Sequence, residues 1–384
     1  MEEKILTFNF LDWYLSDIKL LRISGLYCID ENGKLIMSQF IYCIIVNFLV
    51  LFLGNISNTV QLFVTKLDVV AIVTSGYTVA IIWLCTFKFY YCFKYRKSLA
   101  RLFEDVNNEI FQPTDEESIE VVKRSFKSYK IAKTGLVMMC TTAVSASVLT
   151  PMLHKSEDIE SRFPLRLWYP FKLDFAASPT YELVYIHHAS LVVYSTLNNI
   201  FLEIIVAAFT TFVGAQCDLI CHNMETATDL KMLKRFIFHH QSIVDFAKRA
   251  EDVVTEMYLF QFGATTISVC MTLFLLSVVD KHSFEFFFFT MFNFGITLQL
   301  LLPCWFSTQM ESKSQKIPFC VYSLPWQDAP NHLKKDVCFF LSTTQEFIIL
   351  RVMNMFTLSV DTYVKILKSS FSYYTVLNSF KGED

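Results

Sequence analysis

Charged residues are scarce in this sequence. They make up 18% of its 384 residues, whereas hydrophobic residues make up 53%. Because soluble domains carry about 25% charged residues, the sequence has too little charge to cover a water-facing surface of this size. The formal net charge of −3 gives no basic surface field, so we expect no nucleic-acid partner.

Glycine and proline are also scarce, at nine residues each, which argues against a β-barrel and against low-complexity linkers. The eleven cysteines lack metal-ligand spacing, and we predict no disulfide framework. The pairs His187-His188 and His239-His240 point in different directions on a helix and would chelate a metal poorly. Since the sequence also lacks a phosphate loop and a nucleophile elbow, we expect neither an enzyme nor a bound cofactor.

The sequence is instead rich in long apolar segments. A helix needs about 20 apolar residues to cross the hydrocarbon core of a membrane. Seven segments meet this length: Ile36–Ser57, Val69–Phe93, Ile131–Leu149, Leu183–Val213, Met257–Val279, Phe284–Phe306 and Phe347–Phe380. They predict an all-α polytopic membrane protein with seven transmembrane helices. Residues 94–130 and 214–256 combine charge with helical periodicity, so we expect helices there to continue past the membrane surface.

The distribution of basic residues predicts the orientation. Lys and Arg number 22 in the N-terminal segment and the even-numbered loops, against 6 in the odd-numbered loops. Because basic residues concentrate on the cytosolic side, we expect a cytosolic N-terminus and an extracellular C-terminus. A G-protein-coupled receptor has the opposite orientation, and its usual motifs in the third and seventh helices are missing. That class stays an alternative, as does a transporter, although we find no inverted repeat.

The predicted seventh span carries polar residues at helical spacing. Thr357, Asp361, Lys365, Lys368, Ser372, Thr375 and Ser379 form a stripe about 33 Å long on a helix. Ionisable side chains inside a membrane usually face a bundle interior or a water-filled path, so the stripe predicts a pore-lining helix. Val376 falls on the same stripe and could close a pore by dewetting. The alternative is a packing helix in which Asp361 and Lys365 pair.

The outer halves of the second, third, fourth and sixth spans form a second candidate site. They combine aromatic rings, thioethers and small polar groups, which suits a pocket for a small apolar ligand. The candidate binding residues are Val73, Tyr77, Met138, Thr142, Ser145, His188, Leu191, Tyr194, Ser195, Phe287, Phe288 and Met291. Ordinary helix packing is the alternative interpretation, since such residues are common between membrane helices.

The C-terminal third of the chain resembles the insect odorant receptor family. The matching stretches are His240-Gln241-Ser242-Ile243, the segment with Ser314, Val321-Tyr322 and Trp326, the run from Thr362-Tyr363 to Ser372-Tyr373, and Val376-Leu377-Asn378-Ser379-Phe380. The resemblance implies an odorant-gated, non-selective cation channel with four subunits, in which the seventh helices line the pore. It also implies that a small volatile odorant binds in the outer pocket, that Val376 matches the gating valine, and that Lys368, Ser372, Thr375 and Ser379 lie along the pore.

Two departures indicate the subfamily. The short segment 214–256 lacks the long insertion of the obligate co-receptor, and Ser372-Tyr373 with Ser379-Phe380 differs from the ending of gustatory receptors. The chain therefore resembles a tuning subunit that assembles with the co-receptor in the plasma membrane of olfactory neuron dendrites, surrounded by membrane lipids. A gustatory-type channel of the same superfamily is the alternative.

This resemblance implies six regions. They are a cytosolic or re-entrant segment (1–35), helices one to four with the odorant pocket (36–213), a cytosolic helical anchor (214–256), helices five and six (257–306), a cytosolic loop with an anchor helix (307–345), and the pore-lining helix with a short extracellular tail (346–384).

Overall fold

The computed structural model describes residues 8–25, 28, 35–64, 69–153, 162–171, 173–175 and 177–379. Within them the chain forms α1 (Leu11–Ile23), α2 (Met37–Val46), α3 (Leu53–Val64), α4 (Val69–Lys94), α5 (Arg96–Asp105), α6 (Glu116–Leu153), α7 (Thr180–Glu225), α8 (Leu233–Val278), α9 (Phe284–Ser314), α10 (Ile317–Tyr322), α11 (Asn331–Thr344) and α12 (Val360–Ser379). A π-helical stretch, Asn47–Phe52, joins α2 to α3. Strands β1 (Arg351–Val352) and β2 (Phe356–Thr357) pair antiparallel.

Seven long helices make up the bundle, which confirms the predicted all-α polytopic fold. Six of them are long and apolar enough to cross a membrane, counting within the described residues: the continuous α2–α3 helix, α4, α6, α7, α8 and α9. The seventh, α12, has 20 residues, which is the length that a span requires. It falls below the hydropathy of the other six because of its polar stripe.

Helices α7 and α8 extend well beyond a membrane thickness. Each has 46 residues, or about 69 Å at 1.5 Å per residue, against about 30 Å of hydrocarbon. Buried Phe236, Ile243 and Phe246 show that the extension of α8 keeps an apolar face. The predicted continuation of helices through 94–130 and 214–256 is therefore observed for α6, α7 and α8.

The start of the seventh span differs from the prediction. We expected a helix from Phe347, but α12 begins at Val360 and is preceded by the β1–β2 hairpin. Three residues, 353–355, connect the strands, and Met353 and Asn354 adopt φ angles of 51° and 54°, the left-handed conformation of a tight hairpin turn. Ile348 and Val352 are buried, and the Ile348 N–H donates to Ser314 at 2.8 Å. The buried residues before Val360 thus pack beside α8 and the end of α9 and do not extend the span.

Helix α1 packs on the bundle by one face. Tyr14 and Leu21 are fully buried, and the Tyr14 hydroxyl donates to the carbonyl of Ala208 in α7. Asp17 on the same face pairs with Lys133 of α6 and accepts a hydrogen bond from Tyr129 at 2.8 Å. Burial raises the pKa of Asp17, and the nearby Lys133 opposes that rise. The segment that we expected to be cytosolic or re-entrant is thereby tied to α6 and α7.

Candidate ligand-binding site

A cavity of about 370 Å³ lies between α4, α6, α7 and α9. Each helix contributes residues spaced by three or four positions, as one helix face must. From α4 these are Thr74, Tyr77, Thr78, Ile81 and Ile82, and from α9 they include Glu285, Phe288, Phe289, Phe292, Ile296 and Gln299. The walls are mainly aromatic and aliphatic, which suits a small apolar molecule.

Aromatic contacts form one wall of this cavity. The ring of Tyr77 lies 5.0 Å from that of Phe292 and 6.2 Å from that of Phe289, centroid to centroid. The same Tyr77 belongs to a buried cluster with Val73, against which Tyr374 and Leu377 of α12 pack. The cluster that includes this cavity residue therefore also supports α12.

Polar groups gather at the end of the cavity where α4, α7 and α8 meet. Lys88 of α4 donates to the side-chain oxygen of Asn199 at 2.6 Å and pairs with Glu203 of α7 at 2.8 Å. Lys88 is 2% exposed and Glu203 is 1% exposed. The hydroxyl of Tyr258 in α8 donates to the second carboxylate oxygen of Glu203. A buried ion pair thus joins three helices beside Asn199, which also lines the cavity.

Four of the twelve predicted binding residues line the cavity, namely Tyr77, Ser195, Phe288 and Met291. Val73 is buried beside Tyr77 but does not reach the space itself. Leu191 and Tyr194 pack in a separate cluster towards the first span, where Asn47 donates to the Tyr194 hydroxyl at 2.9 Å.

The remaining predicted residues point elsewhere. His188 lies 3.1 Å from the Tyr169 hydroxyl, in a small space separate from the cavity. Met138, Thr142 and Ser145 are exposed on the outer face of α6, and Phe287 is exposed on α9. On α6 the cavity face passes through Met139 and Ala143, one position further along. Consecutive methionines at 138–139 and phenylalanines at 286–289 left the rotation of these helices undefined by sequence.

Two cavity residues that the sequence predictions missed are amides within apolar spans. Asn199 and Gln299 line the cavity, and both are buried. A polar side chain inside a membrane span usually faces the bundle interior. That rule, applied to these two positions, was the signal that could have identified them.

A second cavity, of about 490 Å³, lies between α6, α7 and α9 and is lined by none of the predicted residues. Its walls carry charges of both signs, including Arg124 and Glu225, and Lys313 pairs across it with Asp218 at 2.6 Å. Because charged walls favour water over an apolar molecule, the smaller cavity is the better candidate for an apolar ligand.

Helix α12 packs by one face and exposes the other. Thr362, Ile366 and Ser370 are buried, and α8 and α9 lie against α12. The opposite face is exposed in the single chain and carries Asp361, Lys365, Lys368, Ser372, Thr375, Val376 and Ser379. Thr357 lies in β2 instead, so the stripe begins at Asp361 and runs about 27 Å. Asp361 and Lys365, both in the described part of α12, do not form the ion pair of the alternative interpretation.

Comparisons with known proteins place these observations in context. The family model described as 7tm Odorant receptor matches residues 68–371. Odorant receptor 10 of Aedes albopictus is 25% identical over 149 residues, which cover 39% of each chain. Putative odorant receptor 92a of Drosophila melanogaster is 19% identical over 302 residues, covering 74% of this chain and 73% of its own. The match to the mosquito protein thus spans well under half of that protein's length.

The fold has solved counterparts. The insect olfactory receptor OR5 from Machilis hrabei superposes with a TM-score of 0.84 at 15% identity, covering 95% of this chain and 97% of that chain. A structure of OR5 in complex with eugenol superposes with a TM-score of 0.83, also at 15% identity. At this identity the likeness establishes the arrangement of helices.

Proposed function

Because the chain belongs to the 7tm odorant receptor family, as its sequence resemblance predicted, we propose that it is an odorant-specific subunit of a ligand-gated, non-selective cation channel. An odorant binds in the cavity between α4, α6, α7 and α9, and α12 lines the conducting pore. Membership in a family of receptors also supports the expectation that the chain is not an enzyme.

The buried cluster shared by the cavity wall and α12 is the observation that carries this proposal. Tyr77 lines the cavity and lies in the cluster against which Tyr374 and Leu377 pack. Val376 is adjacent to Leu377, about 100° away around the helix, and is 54% exposed. A ligand that shifts Tyr77 therefore disturbs the cluster on which Tyr374 and Leu377 of α12 pack. Among the candidate residues that the sequence suggested, we propose that Tyr77, Ser195, Phe288 and Met291 touch the odorant.

The polar face of α12 supports the pore assignment. Lys368, Ser372, Thr375 and Ser379 are exposed in one chain, and leaving such side chains against lipid is costly. This face and the corresponding helices of the other subunits, arranged around a central axis, would enclose water. We propose that Val376 supplies the apolar constriction of that path.

Exposed apolar side chains support assembly with other subunits. Phe238, Phe319, Tyr322 and Phe339 are each at least 60% exposed, and they lie in the proposed anchor regions 214–256 and 307–345. Large apolar side chains that stay exposed in one chain mark a protein interface. We propose that the partner is the co-receptor subunit in a heterotetramer of the dendritic plasma membrane, with cytosolic N-termini.

Recording currents tests this function. The chain is co-expressed with a co-receptor subunit and exposed to a panel of volatile compounds. Val376→Ala is expected to raise the current without odorant, because a smaller side chain weakens the apolar constriction. Val364→Ala on the same helix is the matched control. If Val376→Ala and Lys368→Gln leave basal opening, conductance and ion selectivity unchanged, the exposed face of α12 is not a pore lining.

An epitope tag tests the orientation separately. A tag at Met1 should bind antibody only after the cells are permeabilised, because the proposed N-terminus is cytosolic. Labelling of intact cells would instead indicate the orientation of a G-protein-coupled receptor.

A further inference from the structure

Gln299 is a buried residue whose side-chain amide lacks a hydrogen-bond partner for its nitrogen within the described part of the chain. It lies on α9, is 7% exposed and lines the cavity between α4, α6, α7 and α9. Its side-chain nitrogen has no hydrogen-bond partner in the part of the chain that the structure describes. Since a buried N–H donor without an acceptor is unfavourable, this amide is poised for a partner that the protein does not supply.

Four other polar side chains around the cavity already form hydrogen bonds. Asn199 gives its oxygen to Lys88. The hydroxyls of Ser195 and Thr196 donate to the Val192 carbonyl, and that of Thr78 donates to the Ser75 carbonyl. Such bonds to the preceding helical turn satisfy the hydroxyl donor locally. Gln299 differs from these three hydroxyls because its donor is not satisfied by its own helix.

The geometry of the amide permits contact with a ligand. A half-turn about the last side-chain bond of Gln exchanges the oxygen and the nitrogen at little cost, so either end can face the cavity. The surrounding walls offer aromatic and aliphatic contact, as at Phe292 and Ile296. A ligand that fills the cavity must therefore place some atom against this amide.

On the basis of the proposed odorant-receptor function, we propose that Gln299 anchors the odorant by donating an amide N–H to one of its oxygen atoms. The cavity then selects small, mainly apolar molecules that carry one carbonyl, ether or hydroxyl oxygen. A hydrocarbon of the same shape fills the space but leaves the donor without an acceptor, and a site left with an unpaired polar group rejects such an analogue.

Matched ligand pairs test this selectivity. Each pair replaces oxygen by carbon with little change in shape, for example 4-methylanisole with 4-ethyltoluene and 2-heptanone with 2-methyl-1-heptene. Channels of the full chain with the co-receptor are compared as wild type, Gln299→Leu and Thr297→Val. Thr297 is the control because it lies on the same helix, donates to the Asn293 carbonyl and does not line the cavity.

The wild type is expected to respond to the oxygenated member at a concentration about 10-fold lower, the effect of one buried hydrogen bond. Gln299→Leu should bring that ratio close to one, mainly by weakening the response to the oxygenated compound. Gln299→Met, which keeps the length of the side chain, should do the same if Gln299→Leu fails to reach the cell surface. Thr297→Val should keep the ratio of the wild type.

Two failures are distinguishable. If the wild type reaches the surface but no compound of either kind evokes current, the odorant-receptor proposal fails and this inference fails with it. If the wild type responds equally to both members of each pair, or Gln299→Leu weakens both responses equally, Gln299 is not the anchor and the receptor proposal stands.

Discussion

The two halves of helix α7 face different surroundings. Residues 180–197 alternate between buried and exposed positions, whereas every residue from 198 to 217 is buried. The first stretch, here called the cavity half, contributes Val192 and Ser195 to the cavity wall. The second, the core half, packs Phe209 and Phe212 against Phe246. Helix α7 thus has one end that lines the ligand cavity and one end that packs in the hydrophobic core of the subunit.

The buried ion pair marks the boundary between these halves. Glu203 lies four residues beyond Asn199, which still lines the cavity, and Lys88 contacts both. A buried pair is costly to form, but removing one partner leaves an uncompensated charge and is costlier still. The difference between the halves therefore depends on both members of the pair being present.

Breaking this pair should have the largest effect. Lys88→Met alone is expected to lower the free energy of unfolding by about 4 kcal/mol, because Glu203 stays buried without its cation. The double variant Lys88→Met with Glu203→Leu should recover most of that loss. Thermal unfolding of the purified chain in detergent measures both.

The matched control starts from the same helix, α4, but lies in an exposed place. Lys94 of α4 pairs with Glu256 of α8 at 2.9 Å, with side chains 42% and 27% exposed. Since water screens such a pair, Lys94→Met should cost less than about 1 kcal/mol. Equal losses for Lys88→Met and Lys94→Met would show that the buried pair does not hold the core half together.

The next effect compares two phenylalanines. Phe212 of the core half is 1% exposed and lies 4.8 Å from Phe246 and 5.3 Å from Phe10, ring to ring. Phe212→Ala should cost about 3 kcal/mol, because the packed surroundings cannot fill the space. Phe292→Ala should cost less, since one side of that ring already faces the cavity, and should change which odorants evoke current. Unfolding in detergent measures the stability loss of each variant, and recordings over the odorant panel measure the change in response. A larger stability loss for Phe292→Ala than for Phe212→Ala would contradict the proposed difference between the cavity and the core.

Much of this architecture could be predicted from the sequence. The length and apolarity of the segments gave the helices, and charged periodic stretches predicted their extensions. The rotation of α6 could not be predicted, because Met138 and Met139 are chemically identical and only packing decides which one faces the cavity. The hairpin before α12 was missed since Ile348 and Val352 are as apolar as residues of a membrane span. The different roles of Asn199, which bonds to Lys88, and Gln299, whose side-chain nitrogen has no partner in the described part of the chain, follow only from the three-dimensional contacts.

Two glycines test where helices approach closely. A Cβ atom at Gly54 would lie 2.8 Å from the side chain of Leu191 in the cavity half, whereas one at Gly135 of α6 would meet nothing within 4 Å. Leu191 is fully buried and cannot move aside, so Gly54→Ala should cost about 2 kcal/mol. Gly135→Ala should leave stability unchanged or raise it by up to about 1 kcal/mol, through helix propensity. If Gly54→Ala and Gly135→Ala change the unfolding midpoint equally, the first span does not pack closely against α7 at Gly54.

The smallest effect on stability is expected on α12, where we expect substitutions to change conduction more than the free energy of unfolding. Ser370 is fully buried and Ser372 is exposed on the opposite face, so Ser370→Ala and Ser372→Ala remove the same hydroxyl from two different environments. Ser372→Ala should change the free energy of unfolding by less than about 0.5 kcal/mol and yet alter conductance or ion selectivity, because its hydroxyl faces the proposed water path. Ser370→Ala should leave conductance unchanged, since that side chain bonds only to the Ile366 carbonyl. If the two variants conduct alike, the exposed face of α12 contacts another subunit and does not line a pore. The part of the protein that responds to a ligand would then be limited to the cavity.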